Sequence, residues 1–379
     1  MELRRIVIAC GGSGGHLAPG IALAEEWSLR GYHPILFVSS KAVDQQMLAK
    51  YSSWSVVALP AKPFRSTPWS FLPFCYSQIV STVRVLCFLK KNPAEAIVVM
   101  GGFTSLPVAL AGFLKKIPIF IHESNQIPGR ATRCLASLAR RIYVPRECFL
   151  KKSPIPLYKV KEYAYPLRSE FCEKKSPDED PTEPVTTERE TLLLLGGSQG
   201  AKALNDWFCE CIAELGQLAK HLVCVTGQMY YDDHKTNLER IHQDNPEVQF
   251  LPFCDDMPSL LRGAKVVIAR AGAGTMAECI QCELPMILVP LPSAADDHQR
   301  INAERVQNLG CAYVVKEVEL DFLEPLVKWV VTSSDILERM REKIRSIKEE
   351  NAREQIVDDM LSSLRGESAE HDKCPETAH

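Results

Sequence analysis

The same structural pattern occurs twice in the sequence, and this repeat constrains the fold more than any other feature. The first copy is an apolar run over Ile6–Cys10 followed by a Gly-Gly-Ser turn and a helical pattern. The second copy is the apolar run Leu192–Leu195 followed by the same turn and another helical pattern. A buried strand that turns on glycines into a helix opens a parallel α/β unit. Ser13 and Ser198, one in each turn, are 185 residues apart, so each copy opens a domain of ordinary size.

Further apolar runs alternate with helical patterns in both halves, and this alternation predicts parallel sheets. Because crossovers between parallel strands are right-handed, each half is expected to form a Rossmann-like, doubly wound α/β domain. Such sheets bind ligands beyond the carboxyl ends of their strands, so both glycine-rich turns are expected to line a cleft between the domains. The predicted strands are 35–38, 96–100, 117–121 and 141–144 in the first half, and 221–226, 248–250, 266–269 and 286–289 in the second.

Pattern and composition together predict four parts of the chain. Residues 1–167 form the first Rossmann-like domain and residues 168–350 the second, which includes the acid- and proline-rich segment 173–190 as a solvated loop. An amphipathic helix over 351–365 is expected to pack back on the first domain. The polar residues 366–379 are expected to be disordered.

The net charge of −3 conceals a difference between the halves. Residues 1–165 contain 21 Lys and Arg against 8 Asp and Glu, whereas residues 166–379 contain 23 against 39. No acid lies between Asp44 and Glu95, although several Lys and Arg do. This gap indicates an anionic surface or polymer facing the first half, and a drift of charge along a soluble protein explains it less well.

Composition excludes several classes of protein. Hydrophobic residues are 46% and charged residues 24% of the chain, which is a globular balance and not that of a disordered, collagen-like or coiled-coil protein. The 14 Cys are too sparse for a disulfide scaffold and follow no secretory signal, so we expect reduced thiols in a cytosolic compartment. Cys279 and Cys282 have zinc-like spacing but no second pair of ligands, and both are expected to be core residues.

Glycine-rich turns that lead into helices are natural phosphate sites, because the helix N-terminus offers free N–H groups and partial positive charge. Neither copy has dinucleotide spacing, since Leu17 stands where the third glycine is expected, and neither is a Walker loop, since Ala201-Lys202 lacks Gly-Lys. A third such loop opens at Arg270 after another apolar strand. A single loop is explained by a tight turn, whereas three loops favour an anionic ligand.

These motifs, taken in order, resemble those of the MurG family of glycosyltransferases over nearly all of residues 1–365. The family has the GT-B fold, in which two Rossmann-like domains face each other across a cleft, as the internal repeat predicts independently. The sequence departs from the family pattern at Phe103, where the family has Tyr, at Ala164–Arg168, where it has Gly-Asn-Pro-Val-Arg, in the longer and more acidic segment 173–190, and in the last 14 residues, which have no counterpart. The matching motifs are Gly11–His16, Met100–Phe103, His122–Asn125, Gly196–Ala201, Ala273–Glu278 and Asp297–Gln299 with Asn302.

The resemblance implies an inverting transferase that moves N-acetylglucosamine from UDP-N-acetylglucosamine to lipid I, the undecaprenyl-pyrophosphoryl-MurNAc-pentapeptide, and forms lipid II for the peptidoglycan cell wall. A single displacement needs one general base and stabilisation of the leaving diphosphate, which helix N-termini and Arg168 can supply. No cofactor is therefore expected besides the co-substrate, and no metal, since the pairs Asp255-Asp256 and Asp296-Asp297 are not placed as a metal-binding Asp-x-Asp.

For the donor, the resemblance implies roles in the second half and at the boundary. Glu278 would accept hydrogen bonds from the ribose hydroxyls, Ser198 and its neighbouring amides would hold a phosphate, and Arg168 would lie near the uracil or the diphosphate. Each residue has a structural alternative: a first-turn Glu stabilised by the helix dipole, an N-cap serine and an interdomain salt bridge, respectively.

Other donor residues follow from the same resemblance. Cys254 would meet uracil through its main chain, and Gln299 and Asn302 would reach hydroxyls of the sugar, although exposed helical amides are the alternative. Asn125 would touch the donor sugar or the acceptor, whereas His122 is expected to be structural. The remaining implied donor contacts are Ser13, Gly14, Gly15, Ala273, Gly274, Thr275, Met276 and Ala277.

His16 is the candidate catalytic base. It follows a glycine-rich turn at a helix N-terminus, where the imidazolium is disfavoured, so the neutral ring can accept a proton near pH 7. The alternative, which has nearly equal weight, is a histidine that donates a hydrogen bond to phosphate.

Residues 64–89 combine aromatic and aliphatic side chains with cations and no acid, as interfacial membrane docking requires. Polar residues interrupt the apolar run, so a full membrane span is not expected. We therefore predict a peripheral protein on the cytoplasmic side of the inner membrane, held by the first domain, although a buried core helix is the alternative. The predicted docking residues are Trp69, Phe71, Phe74, Arg84 and Lys90.

Other functions remain open from the residues alone. A diacylglycerol glycosyltransferase or a UDP-N-acetylglucosamine epimerase would have the same fold, and a non-catalytic, membrane-surface scaffold would bind nucleotide without turnover. The motif set Ser198, Glu278 and Gln299 argues against the scaffold, and the failed dinucleotide spacing argues against a dehydrogenase. A nucleic-acid partner is not expected.

Overall fold

The computed structural model describes residues 3–12, 14–64, 69, 71–148, 150, 154–172, 189–197 and 200–366. The predicted site residues Ser13 and Ser198 lie outside the described residues, as do 173–188 of the predicted acidic loop and 367–379 of the predicted tail.

The first domain is built on a sheet of seven parallel strands in the order β3-β2-β1-β4-β5-β6-β7. Five helices connect or cover the strands, and they are α1 (Gly14–Leu29), α2 (Ala42–Leu48), α3 (Phe71–Lys91), α4 (Ser105–Leu114) and α5 (Arg130–Leu135). The strands are β1 (Arg5–Ala9), β2 (His33–Val38), β3 (Ser55–Ala58), β4 (Ala96–Val99), β5 (Ile119–His122), β6 (Arg141–Val144) and β7 (Val160–Glu162).

The second domain repeats this architecture with six parallel strands in the order β10-β9-β8-β11-β12-β13. The strands are β8 (Thr191–Leu195), β9 (His221–Val225), β10 (Val248–Leu251), β11 (Ala264–Ala269), β12 (Met286–Leu288) and β13 (Ala312–Val314). The helices are α6 (Lys202–Glu210), α7 (Ile212–Leu215), α8 (Gln228–Asp244), α9 (Met257–Gly263), α10 (Ala273–Gln281), α11 (His298–Asn308), α12 (Leu323–Thr332) and α13 (Ser334–Ile347).

Both sheets are doubly wound, as the sequence predicts, because helices cover both faces of each. In β1 the side chains of Ile6 and Ile8 enter one core while those of Val7 and Ala9 enter another. The central strand β8 divides its leucines between two cores in the same way. Burial on both faces explains why these strands are continuous apolar runs.

The sequence analysis missed three strands, and all three are short strands at sheet edges. β3 and β7 are the outermost strands of the first sheet, and β13 ends the second. β3 alternates between half-buried and exposed residues, and β7 has no buried residue. An edge strand whose two faces are only partly buried does not need a continuous run of apolar residues. The apolar runs that mark the central strands therefore do not detect it.

The chain crosses between the domains twice, and one side chain links the two crossings. The Asn351 Oδ1 atom accepts a hydrogen bond from the Leu167 N–H at 2.9 Å, and its Nδ2 donates to the Leu167 carbonyl at 2.7 Å. Leu167 itself packs in the core of the second domain, so the core of that domain begins within the first crossing.

The last helix, α14 (Arg353–Arg365), packs on the first domain. Ile356, Val357 and Met360 are fully buried in the core that also contains residues of α1. The Tyr143 hydroxyl donates to Asp359 at 2.8 Å, which ties α14 to β6. The chain therefore returns to its first domain after completing the second, and this fixes the two sheets relative to each other.

Candidate active site

The loops that follow the central strands of the two sheets meet in one cleft. These loops follow β1 and β4 in the first domain and β8 and β11 in the second, on either side of the point where strand order reverses. Direct bonds cross between the domains one strand further out, from the loop after β5 to α11, which follows β12: the Asn302 Nδ2 donates to Asn125 Oδ1 at 3.2 Å, and the Gln126 N–H donates to Asn302 Oδ1 at 3.1 Å. The predicted residues Asn125 and Asn302 are thus brought together, and in this structure they bind each other.

The first glycine-rich turn is held by an internal carboxylate. A Cβ at Gly11 would lie 2.2 Å from the backbone N of Ser39, so only glycine fits there. The fully buried Asp44 accepts from the Gly12 N–H at 3.1 Å and from the Ser39 N–H at 3.0 Å. The Gly12 amide is therefore used by Asp44, and the anion-binding capacity expected of this turn is partly consumed within the protein.

His16 lies in the first turn of α1 against the loop that follows β4. A Cβ added to Gly101 or Gly102 would lie 3.1 Å from a ring nitrogen of His16, and both glycines have positive φ angles. Burial lowers the pKa of His16, and His298 across the cleft acts in the same direction, whereas the carboxylate of Glu123 opposes the shift. The ring is therefore favoured in its neutral form at neutral pH.

Glu123 fixes the loop that presents Asn125. Its Oε1 accepts from the N–H and the Nδ2 of Asn125, both at 3.0 Å. Its Oε2 accepts from the Gly129 N–H at 2.8 Å and from the Thr132 hydroxyl at 2.7 Å. Four donors on one buried carboxylate hold Asn125 in place beside Asn302.

Glu278 lies in the second turn of α10, so the alternative of a first-turn Glu stabilised by the helix dipole is wrong. Its Oε1 accepts from Arg168 at 3.0 Å, and Arg168 also contacts Glu170 at 2.7 Å. Burial raises the pKa of Glu278, and Arg168 opposes this shift. Arg168 is therefore ion-paired, but with two carboxylates of its own domain and not across the domains as its structural alternative describes, and one of these partners is itself a predicted donor residue.

The other predicted donor residues occupy the same side of the second domain. Ala273–Ala277 form the first part of α10, where a Cβ at Gly274 would lie 2.8 Å from the Tyr165 hydroxyl. The Gln299 side chain accepts from the Leu291 N–H at 2.9 Å, and Cys254 is half-buried against the core. The N-cap position of α6 is Ala201, which has no side-chain acceptor, and the alternative of Ser198 as a cap falls outside the described residues.

His122 is buried at the end of β5. Burial lowers its pKa to about 3, and His16 contributes in the same direction. Its ring lies edge-on to Tyr165, with 6.2 Å between the ring centroids. The ring is therefore neutral across the physiological range, in keeping with the structural role expected for it.

Several site residues were not singled out from the sequence. Asp44, Lys41 and Gln126 reach the site from positions without a motif, and Lys41 donates to the Gly12 carbonyl at 2.7 Å. Asp296 contacts Arg133 across the cleft. The signal that could have indicated Asp44 is its position as the last acid before the long acid-free stretch.

Metal and disulfide chemistry receive no support from the part of the chain that the structure describes. Within it, no group of three or more His, Cys, Asp or Glu side chains is arranged to hold a metal ion. The described cysteines are free thiols, and Cys279 and Cys282 are buried as expected of core residues.

Helix α3 exposes many of its apolar side chains, although Val85 and Leu89 are buried in the core of the first domain. Its buried residues include Ser77, Gln78, Ser81 and Thr82, and the Ser77 hydroxyl accepts from the Lys62 N–H at 3.1 Å. The exposed side chains of α3 are called here the outer face of α3, and they include Phe71, Leu72, Tyr76, Ile79, Val83, Arg84 and Lys90.

Two further predicted docking residues lie beside this face. Trp69 is 91% exposed, whereas Phe74 is half-buried with its ring against Phe64. By length and composition α3 is the one helix of the described chain that could cross a membrane. Because its inner side, which includes Val85 and Leu89 as well as the buried polar residues, packs on the domain, the helix is anchored in the protein. An exposed apolar face of this size is typical of an interaction surface.

Comparison with known proteins agrees with this architecture. Residues 6–144 match the glycosyltransferase family 28 N-terminal domain, and residues 191–359 match the family's C-terminal domain. The structure of MurG from Acinetobacter baumannii covers 95% of this chain and 99% of its own, at 23% identity and a TM-score of 0.66. A Staphylococcus aureus MnaA–UDP structure is similar in fold, with a TM-score of 0.68 at 12% identity over 96% of this chain and 97% of its own. Fold and cleft thus define a glycosyltransferase of the GT-B class.

Curated relatives give the finer assignment. The UDP-N-acetylglucosamine–N-acetylmuramyl-(pentapeptide) pyrophosphoryl-undecaprenol N-acetylglucosamine transferase of Opitutus terrae is 35% identical over 96% of both chains. The enzyme of the same name from Carboxydothermus hydrogenoformans is 32% identical over 88% of this chain and 94% of its own. The chain belongs to the MurG family within glycosyltransferase family 28.

Proposed function

We propose that this enzyme transfers N-acetylglucosamine from UDP-N-acetylglucosamine to lipid I, with inversion at the anomeric carbon, and so forms lipid II for peptidoglycan. The observation that carries the proposal is the combination of full-length membership of the MurG family with a cleft in which Asn125 of one domain binds Asn302 of the other and His16 lies near His298. No cofactor beyond the nucleotide sugar is proposed.

The donor is held by the second domain. Glu278 accepts hydrogen bonds from the two ribose hydroxyls, which are donors suited to a carboxylate. Arg168 then exchanges part of its bonding with Glu278 for the diphosphate, and the start of α10 adds the partial positive charge of a helix N-terminus. The amides around Ser198 hold a phosphate, Cys254 meets the uracil through its main chain, and the contacts of Gln299 with Leu291 are replaced by contacts with the sugar.

The reaction is a single displacement. The acceptor hydroxyl oxygen forms a bond to the anomeric carbon of N-acetylglucosamine while the bond from that carbon to the diphosphate oxygen breaks. His16 takes the hydroxyl proton, and Arg168 with the backbone dipoles stabilises the negative charge that develops on the leaving UDP. The contact between Asn125 and Asn302 opens to admit the sugar and the acceptor.

The lipid anchor of the acceptor requires that the enzyme come to the membrane. The outer face of α3 and Trp69 present apolar and aromatic side chains next to cations, which is the chemistry of docking to an anionic bilayer surface. We therefore assign the protein to the cytoplasmic side of the inner membrane, as a peripheral protein held by its first domain.

The acceptor assignment is tested by turnover of purified enzyme with labelled UDP-N-acetylglucosamine. A short-chain lipid I analogue should be glycosylated, whereas diacylglycerol should not, and donor incubated alone should not be epimerised. Transfer to diacylglycerol, or epimerisation without an acceptor, would instead identify one of the related nucleotide-sugar enzymes. No turnover together with measurable UDP binding would favour the scaffold.

Replacement of Glu278 tests the ribose contact. Because a hydrogen bond to a charged group is worth about 1.5–3 kcal/mol, Glu278→Gln should weaken UDP binding roughly tenfold or more in a calorimetric titration. Glu304→Gln removes a carboxylate from an exposed position on α11 of the same domain and should leave binding unchanged. Equal affinity of UDP for the Glu278 variant and the unmodified protein would contradict the assignment.

Replacement of His16 tests the base. His16→Ala should lower kcat by about 10²–10⁴-fold with little effect on the KM for the donor, since a base acts in the transition state. Because the pKa of His16 is lowered, the acidic limb of the pH profile should lie below pH 6.5, and it should vanish in the variant. A change in donor KM alone would make His16 a phosphate ligand.

Replacement of the docking residues tests the membrane surface. Trp69→Ser and Phe71→Ser combined with Arg84→Glu and Lys90→Glu should release the protein from phosphatidylglycerol vesicles while activity on a soluble acceptor survives. The matched control changes Val318 and Phe322 to Ser and Lys316 and Lys328 to Glu, all at exposed positions of the second domain. Undiminished co-sedimentation of the folded α3 variant at low salt would refute the docking site.

A further inference from the structure

The second domain has a cavity of about 750 Å³ at the end of its sheet opposite the cleft. It lies where β8, β9 and β11 begin, whereas the candidate active site lies where the strands end. The junction of α12 and α13 closes its other side. We call it the basal pocket and define it by Arg189, Lys220, Lys265, Ser334, Arg341 and Arg345.

The basal pocket carries more positive than negative charge. Five cations line it but only two carboxylates, those of Glu190 and Glu338. Glu190 pairs with Lys220 at 2.9 Å, and Glu338 pairs with Arg345 at 3.0 Å. Glu338 is also 3.7 Å from Arg341, so three cations, Arg189, Arg341 and Lys265, lack a close carboxylate among the lining residues.

Each of these three cations is incompletely neutralised by the described residues. Arg189 donates to two backbone carbonyls, of Glu283 at 2.9 Å and Cys282 at 3.0 Å, which carry no net charge. The Nε of Arg341 is buried with no hydrogen-bond partner in the described chain, and its closest carboxylate contact is 3.7 Å away. Lys265 makes no hydrogen bond or ion pair to any residue that the structure describes.

Like charges gathered in a partly desolvated cavity repel each other. Burial lowers the pKa of Arg189, and Arg341 and Arg345 act in the same direction, whereas Cys282 and Glu283 oppose the shift. An anion that reaches all three would relieve this repulsion, and guanidinium groups bind phosphate in a bidentate manner. The cavity is as large as typical small-ligand sites.

We propose that the basal pocket binds a small polyanion that carries a diphosphate or triphosphate group. Arg189, Arg341 and Lys265 supply the charge, and the start of α13 at Ser334 adds a helix N-terminus with partial positive charge. The site is separate from the cleft, and it does not depend on the reaction proposed above.

Calorimetric titration with inorganic pyrophosphate, and separately with ATP, tests the site. Both titrations contain excess UDP, which competes for the cleft. One pyrophosphate should bind per chain, and Lys265→Glu combined with Arg341→Gln should weaken it at least tenfold. The control, Lys235→Glu combined with Arg240→Gln, makes the same change in charge on exposed positions of α8 and should have no effect. Tighter binding of ATP than of pyrophosphate would identify a nucleotide as the ligand, and equal binding would identify the free diphosphate group.

Three results would overturn the proposal. The first is no binding of either probe at millimolar concentration, and the second is equal weakening in the control variant. The third is pyrophosphate binding that appears only after the acidic residues of 173–188 are replaced by Ser. That result would mean that in the unmodified protein these carboxylates, and not a ligand, are the anions that the pocket binds. If the double variant does not fold, Lys265→Gln alone should still weaken pyrophosphate binding severalfold, and unchanged affinity would count against the site. Every folded variant of the basal pocket should bind UDP with unchanged affinity. A failure of the basal pocket can therefore be distinguished from a failure of the proposed UDP site in the cleft.

Discussion

Parallel pairing of the strands is the constraint on which the rest of this structure depends. In a parallel sheet every strand ends at the same edge, so the loops that carry Gly12, His16 and Asn125 all leave the first sheet together. The same holds for Glu278 and its neighbours in the second sheet. The Asn351 side chain hydrogen-bonds both backbone groups of Leu167, and α14 returns to the first domain. These two connections hold the loop-bearing edges of the two sheets facing each other. The cleft is thus a consequence of strand direction and of two tethers.

The sequence predicted the central strands, the glycine turns and the two-domain fold, because each depends on a local pattern. It could not predict Asp44 as the carboxylate that binds the first turn, since the contact joins residues 32 apart along the chain and no motif marks it. The sequence also could not predict in which turn of α10 Glu278 lies, because the first residue of a helix is uncertain by one or two residues. Edge strands β3, β7 and β13 were missed because partial burial removes the apolar run that marks a strand.

Helix α3 shows how far composition can predict function. Its apolar residues and the lack of acids indicated either a core helix or a docking surface, and the sequence could not separate the two. The structure distinguishes them by direction, since Ser77, Gln78 and Ser81 point inwards while Phe71 and Tyr76 point outwards. Among the inward polar side chains, Thr82 donates to the Gln78 carbonyl at 2.8 Å and Ser77 to the Phe74 carbonyl at 2.8 Å, whereas Ser81 Oγ and Gln78 Oε1 are buried with no hydrogen-bond partner in the described chain. Val85 and Leu89 of the same helix belong to the core of the first domain, whereas the exposed side chains such as Phe71, Leu72 and Tyr76 belong to no core of the described chain.

The ion pair between Arg168 and Glu278 explains why a nucleoside diphosphate suits the cleft better than either of its parts. Both side chains are largely buried, and Arg168 also pairs with Glu170 at 2.7 Å, so loss of the Arg168–Glu278 contact without replacement mainly leaves the buried Glu278 carboxylate short of a cation, which is costly. A nucleoside alone could satisfy Glu278 through its ribose hydroxyls but would draw that carboxylate from Arg168. A diphosphate alone could accept hydrogen bonds from Arg168, but the hydrogen bond from Arg168 to Glu278 would then be weakened without replacement. A ligand that carries both groups replaces both halves of the pair at once, so in the proposed function its two parts bind with more free energy together than separately.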